Sequence, residues 1–191
     1  MVRVIVFSSF MLLINCLSAQ SNYFISSYSF KILGTSSMHD WVVSGTKATA
    51  KGVFTIESNR IKEIKSLLIK IPAKELKSEK KSSKMDKKIY EALKADDNPD
   101  ITFNFLHINS YPTEANGYMM NATGTLTICG VPKEESLNVQ VKINDNNSIS
   151  FSGSKKLKMT DFKISPPTAM MGMLKTGNDL EIKFECSMKQ N

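Results

Sequence analysis

Histidine, tryptophan and cysteine are scarce in this chain: 191 residues hold two, one and three of them. Two histidines without a supporting cysteine cluster make no metal centre. His39 stands in GTSSMHDW, residues 34–41, close in sequence to Ser36, Ser37 and Asp40. Neighbours on one extended segment point apart, so they cannot converge as a hydrolase triad. His39 and Asp40 are expected instead to fix a turn, with Trp41 packed behind them. His107 shares the parity of Phe105 near a strand end and is expected to be satisfied locally or to face the mouth of the fold. Asp96 and Asp97 are adjacent, where helix termination explains them before paired acid–base chemistry does. No glycine-rich phosphate loop occurs. These absences leave no catalytic constellation; the chain is expected not to be an enzyme and to need no metal or cofactor.

Long apolar runs are also missing, apart from residues 4–14. That run follows the basic start Met1-Val-Arg3, is broken only by Ser8 and Ser9, and leads into polar and small residues. It is short for a membrane span and has the layout of a secretory signal peptide, cleaved after Ala19 or Ser18. Residues 1–19 are therefore read as a leader and residues 20–191 as one exported domain, periplasmic or secreted. The formal charge is +7. No basic face carries interleaved aromatics, so nucleic acid is not an expected partner. Residues 74–88 hold a lysine block diluted by Glu75, Glu79 and Asp86, expected to be a solvated connection.

Two cysteines remain after the leader. Strand parity places Cys129 with Thr125 and Thr127 but Cys186 with Leu180, Ile182 and Phe184, on opposite faces, so two free thiols are expected.

What the sequence has in abundance is period-two alternation, the mark of half-buried strands. One set is Ala48, Ala50, Gly52, Phe54 and Ile56; another is Leu67, Ile69 and Ile71; a third is Ile101, Phe103 and Phe105. Tyr118, Met120, Ala122, Gly124, Leu126 and Ile128 alternate with polar residues, as do Leu137, Val139, Val141 and Ile143, then Leu180, Ile182 and Phe184. Ile149 and Phe151 begin another set. Turn chemistry at Ser58-Asn59, Asn116-Gly117, residues 144–147 and residues 176–178 separates them. With residues 22–33 and the segment through Trp41, about eight antiparallel strands are predicted. Residues 83–93 alone read as a helix: Met85, Ile89 and Leu93 recur at helical spacing, Ser83 and Asp86 form a capping signal, and DDNP stops it.

Such strands can form a sandwich or a barrel. Small residues on the apolar face (Ala48, Ala50, Gly52, Ala122, Gly124) favour a barrel that leaves room for a ligand, though they can also mark strand bends. Apolar surface in excess suits a lipid, since each buried CH₂ contributes about 0.8 kcal/mol. PPTAMMGML, residues 166–174, carries no charge and is neither strand nor helix. Methionine adapts to irregular apolar guests, so this loop is expected to cover the cavity through Met170, Met171 and Met173, or merely to plug the barrel end.

Several segments resemble the YceI-like family of exported lipid- or polyisoprenoid-binding proteins. They are GTSSMHDW, MDKKIYEALKADDNPDITF (residues 85–103), GTLTICGVPK (124–133), and LKMTDFKISPPT with TGNDLEIKF (157–168 and 176–184). The resemblance implies an all-β fold with one flanking helix, an eight-stranded antiparallel lipocalin-like barrel, and an apolar tunnel for an isoprenoid or similar amphiphilic lipid. It implies Trp41, Ile101, Phe103, Leu126 and Ile128 as wall and the three methionines as the loop above it. Alternation alone adds Phe54, Ile69, Phe105, Val139 and Phe151. Cys129 stands where the family commonly has a basic residue, which removes one contact to a charged head group. The expected partners are the lipid and, transiently, a membrane, with the protein a monomer or homodimer. The alternative is a barrel filled by its own side chains and acting as an interaction or stress-response module.

Overall fold

The computed structural model describes residues 20–111, 113–114 and 117–190. The expected leader and Asn116 of the expected Asn116-Gly117 turn lie outside the described residues. Among the described residues twelve strands and one α-helix follow in order: β1 (Ser21–Ser36), β2 (Trp41–Gly45), β3 (Thr49–Glu57), β4 (Arg60–Pro72), β5 (Leu76–Ser78), α1 (Ser83–Leu93), β6 (Asp100–Ser110), β7 (Thr113–Glu114), β8 (Gly117–Ile128), β9 (Val131–Ile143), β10 (Ile149–Lys158), β11 (Thr168–Ala169) and β12 (Leu174–Gln190).

The long strands pair antiparallel in the order β1-β3-β4-β6-β8-β9-β10-β12. β12 then returns to β1, from Tyr23↔Gln190 to Ser36↔Thr176. This closes an eight-stranded antiparallel barrel, the arrangement that leaves no long strand with an open edge. β1 is shared: residues 21–24 pair with β3, and residues 31–34 with β2, which passes the sheet on to β5. Two-residue turns with both φ positive join β3 to β4 at Ser58-Asn59 and β8 to β9 at Cys129-Gly130, the geometry that matches strand twist.

The helix occupies the predicted residues, but its cap is displaced by one. Ser82, not Ser83, accepts from the Met85 amide at 3.3 Å. Asp86 instead accepts from the Ser78 amide at 2.7 Å, tying the helix to β5. The lysine block is correspondingly not a bare connection: β5 pairs with β2, which drives Leu76 and Ser78 into the interior.

Bulges explain the largest departures from simple alternation. In β4 the buried residues Ile61, Ile64 and Leu67 lie three apart, a helical spacing held in a strand. Register shifts against β3, between Val53/Phe54 and between Thr55/Ile56, each insert a residue and restore the inward direction. The Ile61 amide donates to Tyr118 Oη at 2.8 Å, and its carbonyl accepts from Tyr111 Oη at 3.2 Å. A shift between Phe105 and His107 in β6 does the same, so Ile108 turns inward and His107 is exposed, against the expectation from parity. The His39 turn is fixed by Ser36, whose Oγ donates to the His39 carbonyl at 2.7 Å and accepts from the His39 amide at 3.2 Å. The expected His39–Asp40 device is not what holds it.

Two apolar clusters make up the barrel's interior. One gathers Tyr23, Phe54, Ile61, Ile64, Tyr118, Val141, Ile149, Phe151 and Met188. The other gathers Val43, Ile71, Leu76, Leu93, Ile101, Ile128, Leu157 and Phe162, with Met85 and Ile89 of α1 packed against it.

Candidate functional site

Residues of both clusters line a cavity of about 690 Å³ in the barrel, within the size range of small-molecule sites. Its wall is built by the inward positions of the long strands. β1 supplies Ile25, Tyr28, Phe30 and Ile32, and β12 faces them with Ile182, Phe184 and Cys186. α1 closes one side with Met85, Ile89 and Leu93, the three residues whose spacing marks its apolar stripe.

Of the residues expected at the site, Trp41, Ile69, Ile101, Phe103, Phe105, Leu126, Ile128, Val139 and Phe151 line the cavity. Phe54 does not. It is 1% exposed and fills the barrel end, edge-on to Tyr23 with ring centroids 5.3 Å apart and tilted against Phe151 at 5.9 Å. Parity gives the face a residue points to, but not its depth along the barrel.

The methionine loop is also corrected. Met171 and Met173 are exposed, while Pro167, Thr168 and Leu174 of the same loop reach the cavity. The loop is held by β11 pairing with β12 and by Ser37, whose amide donates to the Lys175 carbonyl at 2.9 Å. Met171 takes a positive φ of 55°, which turns its side chain away. The Met170 side chain lies outside the described residues. A lid made of Met171 and Met173 is therefore not present.

The small inward residues do not all leave space. A Cβ on Gly124 would lie 2.3 Å from the Phe103 ring, and one on Gly52 would lie 2.5 Å from the Phe54 ring. These glycines seat aromatic side chains, and the aromatics then face the lumen or plug its end.

Alternation missed several wall residues. The β1 set was hidden by an irregularity between Ile25 and Ser27 that resets its parity. Glu135 and Lys155 were passed over because they are charged, yet Glu135 shares the parity of Leu137 and Val139, and Lys155 that of Phe151 and Leu157. Both line the cavity. Lys155 Nζ lies 2.6 Å from Glu135 Oε2 and donates to the Ser136 carbonyl at 3.0 Å.

Both described cysteines are free. Cys129 sits in the β8–β9 turn rather than on a strand face. Cys186 lies across from Tyr28 and Phe151 in the wall, and burial pushes its thiol up to about 11. Among the described residues no group of three or more His, Cys, Asp or Glu is placed to hold a metal ion, and no helix is long and apolar enough to cross a membrane.

The fold of this chain recurs in solved structures. The chain is similar to BcnA of Burkholderia cenocepacia, with TM-score 0.66, 18% identity, and coverage of 84% of this chain and 95% of that one. It is similar to a YceI protein of Campylobacter jejuni, with TM-score 0.58, 25% identity, and coverage of 78% and 84%. A polyisoprenoid binding domain from Saccharophagus degradans aligns at TM-score 0.66 and 10% identity over 91% of this chain and all of that one. No curated protein matches. The YceI-like domain matches residues 25–188, from within β1 almost to the end of β12, and the chain therefore belongs to the YceI-like family.

Proposed function

We propose that the chain is an exported binding or carrier protein that holds an isoprenoid-type or similar long-chain amphiphile in its barrel, without catalysis. Residues 1–19 serve as the cleaved leader, and residues 20–191 form the one lipid-binding domain. The observation that carries this reading is the cavity itself, about 690 Å³ and walled by aliphatic and aromatic side chains. At about 30 Å³ per methylene-sized group it has room for about twenty of them. Half that number, at about 0.8 kcal/mol each, reaches the roughly 8 kcal/mol of a micromolar complex. The family membership and the polyisoprenoid binding described for the Saccharophagus domain point the same way. A self-filled interaction module would have needed side chains where this space lies.

Native mass spectrometry of protein purified from its source, followed by lipid extraction, tests the proposal. A co-purifying long-chain amphiphile is expected, and its loss in Leu126→Trp, which places an indole in the lumen. An empty wild-type barrel that also takes up no added long-chain lipid would sink it.

Exchange with a bilayer is part of the proposal. The exposed Met38, Met171 and Met173 sit on the loops joined by Ser37 and Lys175. Lys84, Lys88 and Lys175 border the cavity there. Apolar tips among lysines suit shallow contact with an anionic surface. Flotation with phosphatidylglycerol vesicles should recover wild type and lose Met171→Ser/Met173→Ser; equal recovery of both would remove these methionines from the contact.

A further inference from the structure

The lumen holds one feature that a purely apolar container does not need. Glu135 of β9 and Lys155 of β10 project inward at mid-barrel, level with Gly124 on one side and Ile182 on the other. Of the ion pairs among the described residues theirs is the most sheltered, with side chains 18% and 26% exposed. Desolvating two charges costs free energy that their mutual attraction only partly returns, so stability alone is a poor reason to place them there.

The local backbone shows how the pair is presented. The β9–β10 ladder ends at Gly153↔Val139, and beyond it the strands separate. Lys155 reaches across this gap, its stem along the wall and its ammonium on the Glu135 carboxylate and the Ser136 carbonyl. An ammonium has three donors and a carboxylate about four acceptor sites. One donor of Lys155 and most of the Glu135 lone pairs are thus left side by side at the cavity wall. That combination matches a group that both accepts and donates, such as a hydroxyl. A phosphate only accepts at its ionised oxygens, and the adjacent Glu135 carboxylate would oppose it.

We propose that Glu135 and Lys155 form the head-group site of the tunnel and select an uncharged, hydroxyl-bearing long-chain amphiphile over a phosphate ester. The proposal rests on the lipid-binding reading above. Its test compares three probes with similar chains on the purified full chain: geranylgeraniol, geranylgeranyl monophosphate and the headless hydrocarbon phytane. Binding is followed by native mass spectrometry and by the fluorescence of Trp41, which borders the cavity.

In wild type, geranylgeraniol should bind about tenfold more tightly than either other probe, the scale of one hydrogen bond to a charged group. Lys155→Met should remove that advantage and leave phytane unchanged. Glu135→Gln, which frees the ammonium, should shift preference to the monophosphate. The exchanged pair Glu135→Lys/Lys155→Glu should restore selection of the alcohol, which also guards against a single variant that fails to fold. Wild type that binds phytane and geranylgeraniol equally, or single variants Lys155→Met and Glu135→Gln that leave the alcohol's advantage intact, would reduce the pair to a wall brace while the tunnel stands. Failure of all three probes to bind would overturn the tunnel and the head-group site together.

Discussion

Cys186 can report whether the lumen is dry. Its thiol sits in the cavity wall between Tyr28 and Phe151, and burial raises it to about 11. At pH 8 such a thiol is about 0.1% thiolate, whereas an exposed one near 8.5 is about 25% ionised. The deficit is roughly 250-fold. A more basic thiolate is the stronger nucleophile, and a Brønsted slope of about 0.4–0.5 returns roughly tenfold across the difference. Chemistry alone therefore leaves Cys186 about 20-fold slower than an exposed thiol, before access to the wall slows it further. The assay is disulfide exchange with a chromogenic aromatic disulfide at pH 8, on Cys16→Ser/Cys129→Ser protein that retains only Cys186. The expected rate is at least about 20-fold below that of glutathione, rises about tenfold per pH unit toward 11, and falls again when phytane occupies the barrel. A rate equal to glutathione, levelling off near pH 8.5 and indifferent to phytane, would refute a desolvated thiol in the wall and with it the dry cavity.

The same burial makes stability fall on the alkaline side. Cys186 is raised in the folded state, so its contribution is fully present below the unfolded value of about 8.5 and is lost as pH climbs through about 11. Tyr23 and Tyr118 are also raised by desolvation and act in the same direction at higher pH. Urea midpoints measured from pH 7 to 11 should decline, and less steeply for Cys186→Ala; identical slopes would show that this thiol is solvated. Ser82→Ala should cost about 1 kcal/mol by removing the cap on α1, read as a lower urea midpoint, whereas Ser83→Ala should cost little; the reverse order would return the cap to Ser83. Gly124→Val should lower the melting temperature markedly, because the new side chain meets the Phe103 ring. Phe103→Ala in the same chain should recover part of the loss, and no recovery would break the link between the two.

Alternation, turn residues and one helical stripe were enough to read about eight strands and α1, whereas the barrel rested on small inward residues and on the family resemblance. Strand parity is a local property: in a regular ladder the side-chain period of two follows from the backbone alone. Most wall residues were legible for the same reason, since the inward face of a barrel is also its apolar face. The failures fall where that period breaks. Bulges in β4 and β6 let Ile61, Ile64 and Ile108 turn inward and expose His107, and a bulge appears only when the partner strand's register is known.

Depth, pairing and loop path belonged to the tertiary structure. Whether Phe54 lines the cavity or plugs its end depends on how far along the barrel its strand is placed, which sequence parity does not encode. Leu76 is buried because β5 meets β2 across more than thirty residues of chain. Met171 and Met173 face outward because the backbone at Met171 takes a left-handed turn there, although their apolarity suggested a lid. Glu135 and Lys155 show both halves of the lesson. Their inward direction was written in the same alternation as Leu137 and Phe151. Their meeting at 2.6 Å required the point where β9 and β10 part, because only there do two charged side chains from separate strands share one sheltered gap in the wall.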